Sequence, residues 1–335
     1  MRIGIVGVGS MGQTHAVGWS KTSADLVGFI ADKPETAAPV AAKHKARAFG
    51  SLEELLADVD VVDVCAPTHL HHEIVLRAAA AGKDIVCEKP LARTLPQARE
   101  IIAACRAAGV KLTVGHVVRY FPEYALARQK VADGEIGRPA VIRLRRGTFQ
   151  PRNATDNWFL DPAKSGGLML DLMIHDFDYA RWVAGEVKTV YARNVRAGRT
   201  NAPVDHGLAI LTHQSGALTH VEGSWAYPPP LFRTQLEIAG NNGWLRYDSG
   251  EMAALSLYQH RSSEDTPDVP QPGSPLSESP YTMQIKSFYN YLTGGAPPRV
   301  TAADGLAALQ IALAAIESAA SGEPVRLESL PEVAL

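Results

Sequence analysis

The sequence predicts an α/β protein in two parts: an N-terminal doubly wound parallel sheet, then an α+β part on an open, mainly antiparallel sheet. Three observations carry this. Residues 1 to about 116 alternate short apolar runs with helix-like stretches, which is the pattern of βαβ units joined by right-handed crossovers. After Arg119-Tyr120-Phe121-Pro122, strands instead follow one another through short turns. At 335 residues the chain also exceeds one ordinary core, so two domains are expected, 1–118 and 119–335.

In the first part the strands read as Arg2–Val6, Leu26–Ala31, Val61–Cys65, Asp84–Cys87 and Lys111–Gly115, with helical stretches starting at Met11, Glu35, Leu52, His71 and Pro96. In the second part, a helix over Glu123–Asp133 leads into a strand over Ala140–Thr148. One long amphipathic helix is predicted over Gly167–Ala184. Strands follow at Lys188–Val195, Gly207–His213, Ala217–Trp225, Thr234–Ala239, Trp244–Tyr247 and Ala254–Tyr258. Gln214-Ser215-Gly216 and Asn241-Asn242-Gly243 are hairpin turn signals. Ser262 to Pro280 is rich in Pro, Ser and acidic residues and reads as a solvated loop. Helices over Tyr281–Leu292 and Ala302–Ser321 close the chain. Asp304 and Glu317 bracket the Ala/Leu-rich stretch of the latter, which reads as a packed helix, and no run is expected to span a membrane.

A net charge of −2 gives no electrostatic reason to expect nucleic acid or a membrane surface as partner. Arg143, Arg145 and Arg146 are the one local basic cluster, and they alternate like one face of a strand. Cys65, Cys87 and Cys105 cannot all pair within the chain, and two of them sit in apolar strand-like runs. A reducing, cytoplasmic compartment is the expectation.

The chemistry starts at Gly7-Val8-Gly9-Ser10-Met11-Gly12, a G-x-G-x-x-G turn between the first strand and first helix. Gly7 permits the tight turn, Gly9 lets backbone approach a pyrophosphate, and Gly12 allows close helix–strand packing. The helix start offers N–H groups from Ser10 and Met11 onward to phosphates. Asp32 lies 20 positions beyond Gly12, at the end of the next strand. A carboxylate there accepts from the adenine-ribose hydroxyls and repels a 2′-phosphate, favouring NAD over NADP, while the neighbouring Lys33 keeps NADP open. Asp32 could also cap the helix at Pro34. Pro67, Thr68 and His71 follow the third strand, on the edge where such sheets bind ligand, and Thr68 could instead cap the next helix. His69, His71 and His72 lack a ligand set at recognised spacing, so no metal is expected.

Glu88-Lys89-Pro90 ends the fourth strand, and the proline forces Lys89 into extended backbone with its side chain aimed off the carboxyl edge. A positive charge near a carbinol carbon stabilises alkoxide character as hydride leaves. Asp171 and His175, four apart, fall on one face of the predicted helix among Leu168, Leu170, Leu172, Met173 and Ile174, with Asp178 beside the histidine. A histidine held by a carboxylate titrates in the range needed to take a hydroxyl proton. A structural Asp–His pair is the alternative.

Together these residues resemble the glucose–fructose oxidoreductase/inositol dehydrogenase/rhizopine-catabolism (Gfo/Idh/MocA) family over nearly the whole chain. The matching pieces are Gly7–Gly12, Ala66-Pro67-Thr68-His69-Leu70-His71, Ala81 through Pro90, and Ser165-Gly166-Gly167…Asp171…His175-Asp176. The resemblance implies a Rossmann domain that binds NAD(P), followed by an α/β domain whose open sheet serves as substrate platform and as the surface of a homodimer or homotetramer. It implies Lys89, Asp171 and His175 as the catalytic set. His175 would act as acid/base, Lys89 would hold and polarise the oxygen, and Asp171 would orient the site. Glu88 and Lys89 would contact the nicotinamide ribose, and Thr68 and His71 would line the cofactor. It also implies that the Lys–Pro bond is cis.

Ile174-His175-Asp176-Phe177-Asp178 resembles inositol dehydrogenases and so implies a sugar or cyclitol substrate. The chain departs from those enzymes at Val118-Arg119-Tyr120, where they carry tandem basic residues. Substrate-facing candidates are Arg119, Asn157, Trp158 and Tyr227. Two other activities share the fold: a glycosidase that uses NAD transiently, and a non-catalytic dinucleotide-sensing regulator.

Overall fold

The computed structural model describes residues 1–151, 157–196, 205–250 and 278–330. The described chain divides into two units, residues 1–120 with 278–306 and residues 121–250 with 307–330. The first unit therefore draws a helix from the far end of the sequence, which the sequence assigned to the second part.

In the first unit, β1 (Arg2–Val6), α1 (Ser10–Trp19), β2 (Asp25–Ile30), α2 (Pro34–Lys43), β3 (Arg47–Ala48), α3 (Leu52–Asp58), β4 (Val61–Val64), α4 (His71–Ala80), β5 (Asp84–Cys87), α5 (Leu95–Ala108) and β6 (Leu112–Val114) follow in strict order. The six strands form one parallel sheet in the order β3-β2-β1-β4-β5-β6. Strand order reverses between β1 and β4, and ligands of such sheets bind at the carboxyl ends of the strands there. Local chemistry sets the helix ends. Ser51 accepts from the Glu54 N–H to start α3, Thr94 accepts from the Gln97 N–H to start α5, and Gly109 closes α5 with φ +66°.

The second unit contains α6 (Pro122–Ala132), β7 (Pro139–Thr148), α7 (Pro162–Ser165), α8 (Gly167–Asp171), α9 (Ile174–Ala184), β8 (Val187–Val195), β9 (His206–His213), β10 (Leu218–Ser224), β11 (Phe232–Gly240) and β12 (Trp244–Asp248). Helices α10 (Pro280–Leu292) and α11 (Ala302–Ser321) and strand β13 (Val325–Arg326) follow. The sheet runs β12-β11-β7-β10-β9-β8-β13. All its pairs are antiparallel except β7 with β10. Both turn signals make hairpins, β9–β10 and β11–β12. The expected strand Ala254–Tyr258 and residues 262–277 of the expected loop lie outside the described residues.

Helix α10 belongs to the first unit because it packs on α1: a Cβ on Gly18 would meet Ile285 at 2.9 Å. Ile285, Phe288 and Leu292 join Ile3, Ile5, Trp19, Phe29 and Val86 in one core. Lys111 Nζ donates to the last carbonyls of α10, Tyr291 (2.9 Å) and Leu292 (3.1 Å), a cation placed at a helix C-terminus.

Helix α11 is long and apolar enough to cross a membrane by length and composition, which corrects the expectation that no run approaches a span. Of its most apolar window, 61% is buried inside the protein, as in a packed core helix.

The predicted helix over Gly167–Ala184 is two helices. The Leu172 and Met173 N–H groups both reach the Leu168 carbonyl (2.9 and 3.0 Å), and the Asp176 N–H then reaches back only three residues to Met173 (3.0 Å). The ladder widens by one residue and tightens again. Met173 is fully buried there, in space left by two glycines paired across β9 and β10. A Cβ on Gly223 would lie 2.4 Å from Met173 Cγ, and one on Gly207 would lie 2.7 Å from its sulfur.

Candidate functional site

The turn after β1 carries the geometry that the sequence assigned to it. Gly7 has φ +107°, and a Cβ there would lie 2.5 Å from the Cys65 carbonyl oxygen at the end of β4. A Cβ on Gly12 would meet the Gly7 carbonyl oxygen at 2.0 Å, so α1 can start this close to β1 only with glycine. Gly9 is different: a Cβ there would meet nothing within 4 Å. It also caps α1, which starts at Ser10, with no side-chain hydrogen bond. This turn fits a diphosphate, which takes backbone N–H donors and a positive helix end.

Asp32 and Lys33 are both exposed just beyond β2. Asp32 Oδ1 accepts the Lys33 backbone N–H (3.0 Å), and Lys33 rather than Asp32 occupies the N-cap of α2, without a side-chain bond. The helix-cap alternative for Asp32 is therefore not what forms. Thr68 is buried and opens a short 3₁₀ turn rather than capping α4.

The three loop histidines diverge. His71 is buried, with Nδ1 2.9 Å from the Pro90 carbonyl oxygen and Nε2 2.8 Å from that of Ala66. It packs between the loop after β4 and the turn after β5; burial lowers its pKa, and the neutral ring donates its single N–H to one of these carbonyls at a time. His72 pairs with Glu100 on α5 (2.8 Å).

Lys89 is half-buried at the end of β5, and the Lys89–Pro90 bond is cis. Glu88, expected at the nicotinamide ribose, turns inward. Its Oε1 lies 3.1 Å from His15 Nε2, and its Oε2 accepts the Lys89 backbone N–H at 3.1 Å. A Cβ on Gly115 would lie 2.5 Å from Glu88 Oε1, so glycine makes room for the carboxylate.

His15 is a participant that sequence reasoning missed. Its Nδ1 lies 3.0 Å from both Asp63 oxygens, and Trp19 Nε1 donates to Asp63 Oδ2 at 2.7 Å. His15, Asp63 and Trp19 are fully buried. Burial opposes charge on His15, yet the Asp63 carboxylate outweighs it and holds the pKa well above the usual histidine value. The signal was present in the sequence: Asp63 interrupts an apolar parallel strand, and a buried carboxylate requires partners. Gly12, His15, Ala16 and Trp19 share the inward face of α1.

In the second unit, Asp171 and His175 flank the α8–α9 junction and are not four apart on one regular helix, as the break at Met173 dictates. Asp171 is buried and ends α8, whereas His175 is half-buried in the first turn of α9. Asp178 lies buried one turn further along α9. Asn157 and Trp158 begin a 3₁₀ turn that packs against α7 and α8. Asn157 Nδ2 donates to the Pro151 carbonyl (3.0 Å), and Trp158 stacks on Phe159 with ring centroids 3.9 Å apart. Tyr227 lies across Gly147 near the end of β7, where a Cβ would meet its ring at 2.3 Å, and Arg145 stands 5.9 Å from the ring centroid.

The basic cluster on β7 splits between two faces, a correction that follows from the period of two along a strand. Arg143 and Arg145 point outward to Glu237 and Glu222 on the adjacent strands. Arg146 points inward, and its Nε and second guanidinium nitrogen donate to Asp176 at 2.7 and 2.9 Å. That buried fork fixes α9 to the sheet. In the first unit, Arg119 is also turned inward. It is 2% exposed and donates to the Arg299 carbonyl (2.8 Å) and to Asp304 (3.2 Å), so the structure places it in packing rather than at a surface open to substrate.

Comparison with known proteins gives these features a family. Residues 1–116 match the oxidoreductase family with an NAD-binding Rossmann fold, and residues 124–246 match the GFO/IDH/MocA C-terminal domain. The chain is 29% identical to 1,5-anhydro-D-fructose reductase of Ensifer adhaerens, over 98% of this chain and 99% of that protein. It is also 29% identical to myo-inositol 2-dehydrogenase of Thermotoga maritima, over 98% and 99% respectively. Among solved structures, GenD2 from gentamicin A biosynthesis in complex with NAD superimposes with a TM-score of 0.86 at 26% identity, covering 98% of this chain and 97% of that one.

Proposed function

The chain belongs to the GFO/IDH/MocA family of NAD-binding oxidoreductases, and from that premise we propose that it transfers hydride between nicotinamide and the secondary alcohol or ketone of a sugar or cyclitol. The observation that carries this reading is the position of Lys89 at the carboxyl end of β5. This is the sheet edge that also holds the open glycine turn after β1. When bound, NAD supplies the hydride acceptor.

The protein's own residues supply the rest. Gly7, Gly9 and Gly12 with the Ser10 and Met11 N–H groups seat the diphosphate, and Asp32 takes the adenine ribose. Pro67, Thr68 and His71 shape the wall after β4. Lys89 holds the substrate oxygen and stabilises its developing negative charge. His175 takes or returns the hydroxyl proton, and Asp171 orients the substrate beside it. Trp158, Asn157 and Tyr227 in the second unit are the proposed substrate contacts. The buried inward turn of Arg119 argues for a supporting role only.

The relatives' names, a reductase of 1,5-anhydro-D-fructose and a dehydrogenase of myo-inositol, support a polyol or sugar substrate. Leu208, Leu218 and Trp244 lie exposed on the sheet of the second unit, which supports a homodimer or homotetramer formed through that sheet. The three free cysteines support a reducing, cytoplasmic setting.

A panel of polyols and sugars assayed with NAD and NADP in parallel, following absorbance of the reduced nicotinamide, tests the proposal. Turnover on a cyclitol or sugar with NAD preferred is the expected result. Glycoside cleavage without net NADH would replace it with the transient-oxidation reading. Dinucleotide binding with no turnover on any member would replace it with the regulator.

A further inference from the structure

We propose that His15 is a positioning residue: as an imidazolium clamped between Asp63 and Glu88, it fixes the Glu88–Lys89 turn on which the proposed chemistry of Lys89 rests. The argument begins with hydrogen-bond polarity. A neutral imidazole has one N–H and one lone-pair nitrogen, but here both ring nitrogens face carboxylates. Nδ1 sits 3.0 Å from each Asp63 oxygen, and Nε2 sits 3.1 Å from Glu88 Oε1. Only the doubly protonated ring donates in both directions while both acids stay ionised.

The surroundings complete that arrangement. Trp19 Nε1 donates to Asp63 at 2.7 Å, and the Cys65 thiol stands 3.5 Å from the other Asp63 oxygen and 3.3 Å from His15 Nδ1. Burial keeps the Cys65 and Cys87 thiols protonated, so neither adds a charge. Glu88 Oε2 accepts the Lys89 backbone N–H, and Gly115 leaves the space that the carboxylate fills. A continuous chain thus runs from the Asp63 carboxylate in the middle of the sheet through His15 and Glu88 to the backbone of Lys89. Fixing the backbone of a charged group at the sheet edge limits where its side chain can reach, and a misplacement near 1 Å costs about a hundredfold in rate.

The primary test is long-range ¹H–¹⁵N NMR on the full-length protein labelled at histidine nitrogen, with His15→Gln identifying the resonance. The expected result is a ring protonated at both nitrogens at pH 7.5. A ring with one bare nitrogen at that pH overturns the proposal. The kinetic test uses whichever panel member turns over. His15→Gln and Glu88→Gln should each lower kcat roughly ten- to hundredfold, leave the NAD dissociation constant within about threefold, and show no further loss when combined. Their pH profiles should lose the same alkaline limb. Folded His15→Gln protein with the unaltered kcat and pH profile also overturns it. The NMR result does not depend on the role of Lys89. If Lys89→Ala keeps full turnover while His15 is an imidazolium, the catalytic reading fails and the clamp stands.

Discussion

The two units each bury a guanidinium on a carboxylate, Arg119 with Asp304 and Arg146 with Asp176, and the first adds a charge that titrates. In the first, an imidazole lies between two carboxylates, so the charge depends on a proton. In the second, a guanidinium forks onto Asp176, and that cation does not titrate in the working range. The titratable cluster sits beside the turn that presents Lys89, whereas the permanent pair holds a helix to a sheet. Charge that only anchors is best kept permanent, while charge at a reacting edge can be coupled to pH.

The largest expected effect separates chemistry from scaffold. His175→Ala or Lys89→Ala should lower kcat by about 10²–10⁴-fold with NAD affinity, followed by fluorescence titration, nearly intact. Full turnover in either variant would remove that residue from the proposed set. Next comes the permanent pair. Arg146→Ala leaves a buried carboxylate uncompensated and should cost about 3–5 kcal/mol in denaturant unfolding of the second unit. Arg146→Met combined with Asp176→Leu should cost less than the single variant. Equal losses would show that the ion pair is not what fixes α9.

A smaller effect tests the pH side of the comparison. Burial raises the Asp304 pKa, but the Arg119 guanidinium and the Thr301 hydrogen bonds outweigh it and hold the carboxyl down at about 2. A depressed carboxyl stabilises the fold above its unfolded pKa, and that contribution disappears as pH falls through the folded value. Asp304→Asn should therefore cost about 2 kcal/mol at neutral pH and flatten the acid limb between roughly pH 4 and pH 2. His15 works at the other end. Its raised pKa stabilises the fold fully below about 6.5, and that contribution fades as pH climbs through the folded value. A pH–stability curve of Asp63→Asn should lose that alkaline decline and keep the acid one. The smallest effect is on the same strand as Arg146. Arg143→Ala, at an exposed cross-strand pair, should change stability by less than about 1 kcal/mol.

What could be read in advance depended on how local the cause was. The strands β1 and β5 have the bounds expected of them because apolar runs between turn signals leave little choice. The three fingerprint glycines were legible through their spacing after a strand, although only Gly7 and Gly12 answer to close neighbours, the Cys65 and Gly7 carbonyls, and a Cβ on Gly9 would meet nothing within 4 Å. Strand β3 is too short for a pattern to reveal it. The α8–α9 break was hidden because its cause, the Gly207–Gly223 gap that receives Met173, comes from residues 34 and 50 positions downstream. Arg119 illustrates the same point. The resemblance offered it as a substrate contact, but its partners are Arg299 and Asp304, about 180 positions away.

By itself the sequence determined the periodicities, the hairpin turns and the order of the longer strands and helices, since these follow from backbone sterics and from interactions within a few residues. Only the tertiary structure decided which polar side chains became partners: His15 with Asp63 and Glu88, Arg146 with Asp176, Arg119 with Asp304. A buried polar group must find a donor or acceptor wherever the fold provides one, and packing, not sequence distance, determines which one is within reach.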